Sequence, residues 1–165
     1  MEEVKNISNV KEYLLQVNDL MKNVYKGRMT VEQYLLDNGT ECKITCIKDL
    51  PKDIRKELER AIQVMEPQIK ECYKNAVLLT ACLPEAEYWE GFSAGIIPVN
   101  HAWNRYKGYF IDITWEQLKH GIGQDYIGVC IPSKKAMKLS MKKIAFLCSP
   151  LYQLVNTLND KAIQK

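Results

Sequence analysis

No apolar run in the sequence approaches the roughly 20 residues needed to cross a bilayer. The first ten residues, MEEVKNISNV, mix both charge signs and lack the apolar stretch of a secretory signal. Charge of one sign is scarce. The formal net charge is only +3, short of the dense Lys/Arg face of a nucleic-acid binder. No CxxC pair occurs, and both histidines stand far from Cys42 and Cys46 in sequence, which argues against zinc. Low-complexity linkers and internal repeats are missing as well. These absences predict a soluble, cytoplasmic chain, one domain over residues 1–165, with no membrane partner and no metal.

What is present suffices for one core. The chain has 165 residues, 47% of them hydrophobic. Its six cysteines are Cys42, Cys46, Cys72, Cys82, Cys130 and Cys148. Without an export signal they read as free thiols rather than a disulfide framework. KITCI, GVCIP and AFLCS put Cys46, Cys130 and Cys148 on apolar faces, and Cys82 also reads as core. The stretch SKKAMKLSMKK, 133–143, reads as a solvated helix face, with an anion-binding patch as its alternative.

Hydrophobic spacing predicts a helix over 8–25, capped by Ser8 or Asn9 and ended by Gly27. A second runs through TVEQYLLDNG, where Thr30 and Gln33 make a capping box and Gly39 lies just past the end. ECKITCIKDL alternates like a strand. LPKDIRKELERAIQVME forms a helix with Pro51 in its first turn. Another helix follows Pro67 and carries Cys72 near its start. Beyond Glu87 the pattern changes. EYWEGFSAG, IPVNHAWNRY, GYFIDITW and DYIGVCIP predict four antiparallel strands, with a short helix at WEQLKHG. His120, at that helix's end, suits the dipole and is given no chemistry. The tail from Ser133 to about Ala162 is helical, broken near Ser149-Pro150. The fold class is α+β.

The chemistry gathers on three residues. Cys72, near a helix start, lies where free N–H groups favour a thiolate. His101 suits a base near neutral pH. Asp112 sits on the other arm of a hairpin that turns at Lys107-Gly108, placed to orient the imidazole.

HAWNRYKGYFIDITW resembles the His and Asp region of the transglutaminase-like superfamily of cysteine enzymes. His101, Ala102 and Trp103 match its His-Ala-Trp. Asp112, Thr114 and Trp115 match its Asp-x-Thr-Trp. ECYKNA resembles the nucleophile helix, YWEGFSAGIIPV the strand pair before the His, and DYIGVCIP the closing strand. The likeness covers about residues 68–132. It implies a papain-like fold with added N- and C-terminal helices. It also implies a Cys72–His101–Asp112 triad working through a thioester, without a cofactor. The substrate would be a protein, a peptide or a small amide. An oxyanion hole is then needed, from the Cys72 N–H with Gln68, Asn75 or Asn104 as side-chain candidates. Trp89, Glu90, Trp103 and Trp115 are the candidates to line the cleft. Two other classes stand beside the enzyme: a binding protein that keeps the triad as architecture, and a nucleotide or nucleic-acid binder acting through the basic helix, which the low net charge disfavours.

Overall fold

The computed structural model describes residues 9–118, 121–123, 125–141 and 149–163. Helix α1, Val10–Lys22, starts where Asn9 accepts hydrogen bonds from the N–H groups of Lys11 and Glu12. It stops well before Gly27. Helix α2, Val31–Asn38, is capped by Thr30 Oγ1 on the Gln33 N–H, at 3.0 Å. The reciprocal half of the predicted capping box is not made. The Gln33 side chain donates to Asp37 and accepts from Asn18 instead. Gly39 is needed for space, because a Cβ there would run into the Leu35 carbonyl.

The predicted strand at 41–50 shrinks to a two-residue β1, Thr40–Glu41, and a 3-10 turn at Ile47–Asp49. The residues between serve both edges of the sheet. The Cys42 N–H bonds the Tyr126 carbonyl at 2.8 Å, and the Thr45 N–H bonds the Phe110 carbonyl at 2.8 Å. One segment thus spans from one sheet edge to the other, which curls the sheet and satisfies its edge groups. Helix α3, Lys52–Met65, has Pro51 at its N-cap and ends on Glu66 in a left-handed conformation. Helix α4, Cys72–Cys82, begins five residues after Pro67, with Cys72 as its first residue.

Four strands complete the sheet: β2 Glu87–Ala94, β3 Pro98–Tyr106, β4 Tyr109–Ile111 and β5 Asp125–Ile131. Their order is β1-β5-β2-β3-β4, antiparallel throughout. Lys107 and Gly108 both take positive φ, 47° and 88°, the geometry of a two-residue hairpin turn whose twist matches the strands. The WEQLKHG helix reduces to a 3-10 turn, Trp115–Gln117; His120 lies outside the described residues. Helices α5, Ser133–Met141, and α6, Pro150–Ile163, close the chain.

Alternation along the strands gives the sheet two different faces. Tyr88, Phe92, Ala102, Ile127, Val129 and Ile131 pack with Ala76 and Val77 of α4 and with residues of α1, α2, α5 and α6. Trp89, Trp103 and Tyr126 form an aromatic cluster with Cys42. The α+β class stands. Two cysteines depart from expectation: Cys82, the last residue of α4, and Cys130, beside polar Glu87 and Arg105 near the end of β5, are exposed rather than core. Cys46 is half-buried, and Cys148 lies outside the described residues. Lys134, Lys135 and Lys138 of α5 face solvent while Ala136, Leu139 and Ser140 are buried. No helix among the described residues is long and apolar enough to cross a membrane.

Candidate active site

His101 sits on β3, opposite Gly91 of β2, and Gly91 in turn faces Gly128 of β5. These glycines clear the row. A Cβ at Gly128 would stand 2.5 Å from the Trp103 ring, and one at Gly91 would stand 2.5 Å from the Gly128 Cα. Three residues before the Lys107-Gly108 turn and three after it, Asn104 and Ile111 are paired. The strand β4 ends there, so Asp112 leaves the ladder beside the His101 arm.

His101 Nε2 donates to Asp112 Oδ2 at 2.7 Å. Both side chains are almost fully buried. Tyr126 Oη donates to the same oxygen at 2.7 Å. The other oxygen, Oδ1, accepts from the N–H groups of Thr114 and Trp115, at 3.1 and 3.0 Å. Asp112 therefore has four donors around it. Burial alone works against its charge, but the His101 charge and hydrogen bond, the Trp115 N–H and Tyr126 outweigh burial and hold its pKa below the usual aspartate value.

With Nε2 committed, the free ring nitrogen is Nδ1. Cys72 is near enough to the imidazole to act on its protonation. Burial disfavours the imidazolium; the Asp112 charge and hydrogen bond, reinforced by Cys72, override it and raise the His101 pKa to about 9. The ring is thus protonated through neutral pH. Cys72 opens α4, whose first turn has no side-chain cap, so its N–H groups and dipole add positive potential at the sulfur. Trp115 stacks on the imidazole at 4.5 Å between centroids, with the planes 30° apart. Trp103 lies in a similar orientation 6.3 Å away.

His101 and Asp112 are thus in direct contact, and Cys72 stands near the same ring. The side-chain oxyanion candidates do not join them. Gln68 is exposed, and its amide donates to the Glu66 carbonyl at 2.9 Å. Asn75 is buried and fully engaged: it donates to the Gln68 carbonyl at 2.7 Å and to Thr114 Oγ1 at 3.0 Å, and accepts from the Gln68 N–H. It staples the start of α4 to the segment after Asp112. Asn104 donates to the carbonyls of Ala76 and Glu87, at 2.9 and 3.1 Å, and holds the helix on the sheet.

The aromatic candidates divide. Trp115 covers His101. Trp103 and Trp89 pair across β2 and β3 and form the floor, with Trp89 against Phe110 at 4.9 Å. Glu90 does not line a cleft. Strand alternation points it away from His101, where it is fully buried. It accepts from Tyr88 Oη at 2.8 Å, from the Leu151 N–H at 3.0 Å and from Ser149. Burial raises its pKa to about 7. Sequence reasoning missed Tyr126. The signal was available, since a tyrosine at the start of the closing strand, between Asp125 and Ile127, is placed to reach the end of β4.

Among the described residues no group of three or more His, Cys, Asp or Glu side chains could hold a metal ion. Cys42, buried under Trp103, has its thiol pKa pushed up to about 12 by burial, which keeps it inert. Set against known proteins, the chain matches no family model, no curated protein and no solved structure.

Proposed function

We propose that this protein is a cysteine-nucleophile hydrolase or acyltransferase with a transglutaminase-like, papain-like core. The observation that carries the reading is the buried imidazole of His101, oriented by a four-donor carboxylate and near Cys72 at an uncapped helix start.

The steps follow from the atoms. The imidazolium of His101 favours the thiolate of Cys72. The sulfur attacks a carbonyl carbon, a C–S bond forms, and the oxygen takes the negative charge. The backbone N–H groups at the start of α4 are the donors for that charge. The tetrahedral species collapses as the C–N bond breaks, and His101 gives its Nδ1 proton to the departing amine. A thioester on Cys72 remains, with neutral His101. Water, or an acceptor amine, then loses a proton to Nδ1 as its oxygen or nitrogen attacks. The C–S bond breaks, the thiolate returns, and His101 is again protonated. Asp112 stays ionised throughout and fixes Nε2 as the protonated nitrogen.

The test is to trap the acyl group. Incubation with p-nitrophenyl acetate, acid quench and peptide mapping places one acetyl on the Cys72 peptide, and Cys72→Ser leaves no thioester there. Added glycinamide, if it recovers the acetyl group as N-acetylglycinamide faster with wild type than with an acetyl thioester of free cysteine, marks transfer to an amine. Acetylation spread over lysines with none on Cys72 would speak for a protein that keeps the three residues as architecture.

A further inference from the structure

A groove lined, among the described residues, by uncharged side chains adjoins Trp115. It encloses about 480 Å3, within the range of about 300–1,000 Å3 typical of small-ligand sites. Ile96, Ile97 and Val99, at the β2–β3 turn and the start of β3, make one wall. Leu118, Ile122 and Trp115 complete the lining with Gly95, Gly121 and Gly123. None of the described lining residues carries a charge. Ile96 and Ile97 are 91% and 66% exposed. A cluster of bulky aliphatic side chains left in water next to a concave surface marks a binding region.

The groove is connected to the triad in two ways. Trp115 is shared: its ring stacks on His101, and the same residue lines the groove. A Cβ at Gly123 would stand 2.5 Å from Trp115 Cζ3, so glycine there lets the loop close on that ring. The second link is a hydrogen-bond chain. The Gly123 N–H donates to Tyr126 Oη at 2.9 Å, and Tyr126 Oη donates to Asp112 Oδ2 at 2.7 Å. The groove wall and the carboxylate are thereby held by one phenol.

We propose that this groove is the acyl-side specificity subsite of the enzyme. It receives an uncharged branched-aliphatic or aromatic side group beside the scissile carbonyl, with Trp115 as the boundary between subsite and chemistry. The proposal rests on the cysteine-enzyme reading above. The apolar walls favour such a group by burying it, and they disfavour a charged one, which would lose water without gaining a partner.

The experiment has two arms. In the first, the Cys72→Ala protein is titrated with N-acetyl-leucinamide and, separately, with N-acetyl-aspartamide, and its methyl resonances are followed by NMR. Saturable shifts at Ile97, Val99, Leu118 and Ile122 with the first compound only, lost in Ile97→Asp, support the subsite. No saturable shift, or equal shifts with both compounds, overturns it. In the second arm, wild type is alkylated with N-isobutyl and N-carboxymethyl chloroacetamide. The expected result is a preference of about tenfold or more for isobutyl at Cys72, reduced in Ile97→Asp and in Leu118→Asp. Fast alkylation of Cys72 without that preference overturns the subsite and leaves the triad standing. Methyl shifts in the first arm with Cys72 inert to every reagent overturn the triad reading, and with it the groove's assignment to acyl recognition.

Discussion

Tyr126 donates to Asp112 at 2.7 Å, on the same carboxylate oxygen that His101 bonds at 2.7 Å. The phenol therefore shares the work of holding the carboxylate ionised and in place. Tyr126→Phe removes a hydrogen bond to a charged group and leaves the Gly123 N–H without its acceptor. The expected loss of stability is about 1.5–3 kcal/mol, read as a lower urea midpoint. Alkylation of Cys72 should slow several-fold with it.

Asp112→Asn tests the orienting role. The asparagine can offer an N–H to Nε2, which drives the proton to Nδ1 and spoils that nitrogen as an acceptor. It also removes the anion that favours the charged form of the buried ring. A loss of about 3–5 kcal/mol is expected, with acyl transfer to Cys72 falling by at least about two orders of magnitude. An Asp112→Asn protein as active as wild type would remove Asp112 from the mechanism.

The buried pair predicts a pH window. The His101 pKa, raised to about 9, means the pair's contribution is complete below the unfolded histidine value of about 6.5 and is lost as pH rises through about 9. Asp112, whose pKa is lowered, contributes above the unfolded aspartate value of about 3.9 and loses its contribution as pH falls below it. The stability gap between wild type and His101→Gln should be widest between about pH 4 and about pH 6.5 and should shrink on both sides. Urea unfolding across pH measures it. A flat gap would contradict the pairing.

Glu90 carries the opposite dependence. Burial raises its pKa to about 7, against the hydrogen bonds from Ser149, Tyr88 and Leu151 and the charge of His101. A carboxyl raised on folding favours the fold while protonated, and that contribution fades as pH rises from the unfolded value of about 4.3 through about 7. Glu90→Gln should therefore gain on wild type over that interval and level off above it. The same carboxylate bonds the start of α6, so hydrogen-exchange protection factors in α6, corrected for the intrinsic pH dependence, should fall across that range in wild type and stay level in the variant.

Gly91 predicts the cost of filling the row beside His101. Gly91→Ala presses a methyl into the β5 backbone, 2.5 Å from the Gly128 Cα, where no flexible side chain can give way. A destabilisation of about 1–3 kcal/mol is expected from such overpacking.

Much of this was legible in the residues. The His101–Asp112 contact follows from the hairpin, because the Lys107-Gly108 turn fixes the pairing across β3 and β4 and two arms of known length place both side chains at one end. The α+β order followed from periodicity that switches at Glu87. The rest depends on tertiary partners. The strand expected at 41–50 had the right alternation, but its hydrogen bonds go to two different edges, so it cannot lie along one. Cys130 follows a buried run yet faces out, since strand parity in GVCIP cannot be set without a partner. Glu90 and Trp89 are neighbours in sequence, and only the pleat decides that one faces the helices and the other the aromatic floor. Asn75 has the chemistry of an oxyanion donor, and its amide is spent on Gln68 and Thr114.

The most direct measurement is iodoacetamide labelling mapped by mass spectrometry on wild type and His101→Ala. Exposed Cys82 and Cys130 serve as internal references. The account predicts that buried Cys72 labels faster than either at neutral pH, and that His101→Ala slows it by at least about tenfold while Cys82 stays unchanged. Labelling of Cys72 no faster than that of Cys82, or labelling indifferent to His101, would contradict the claim that these residues form a working pair.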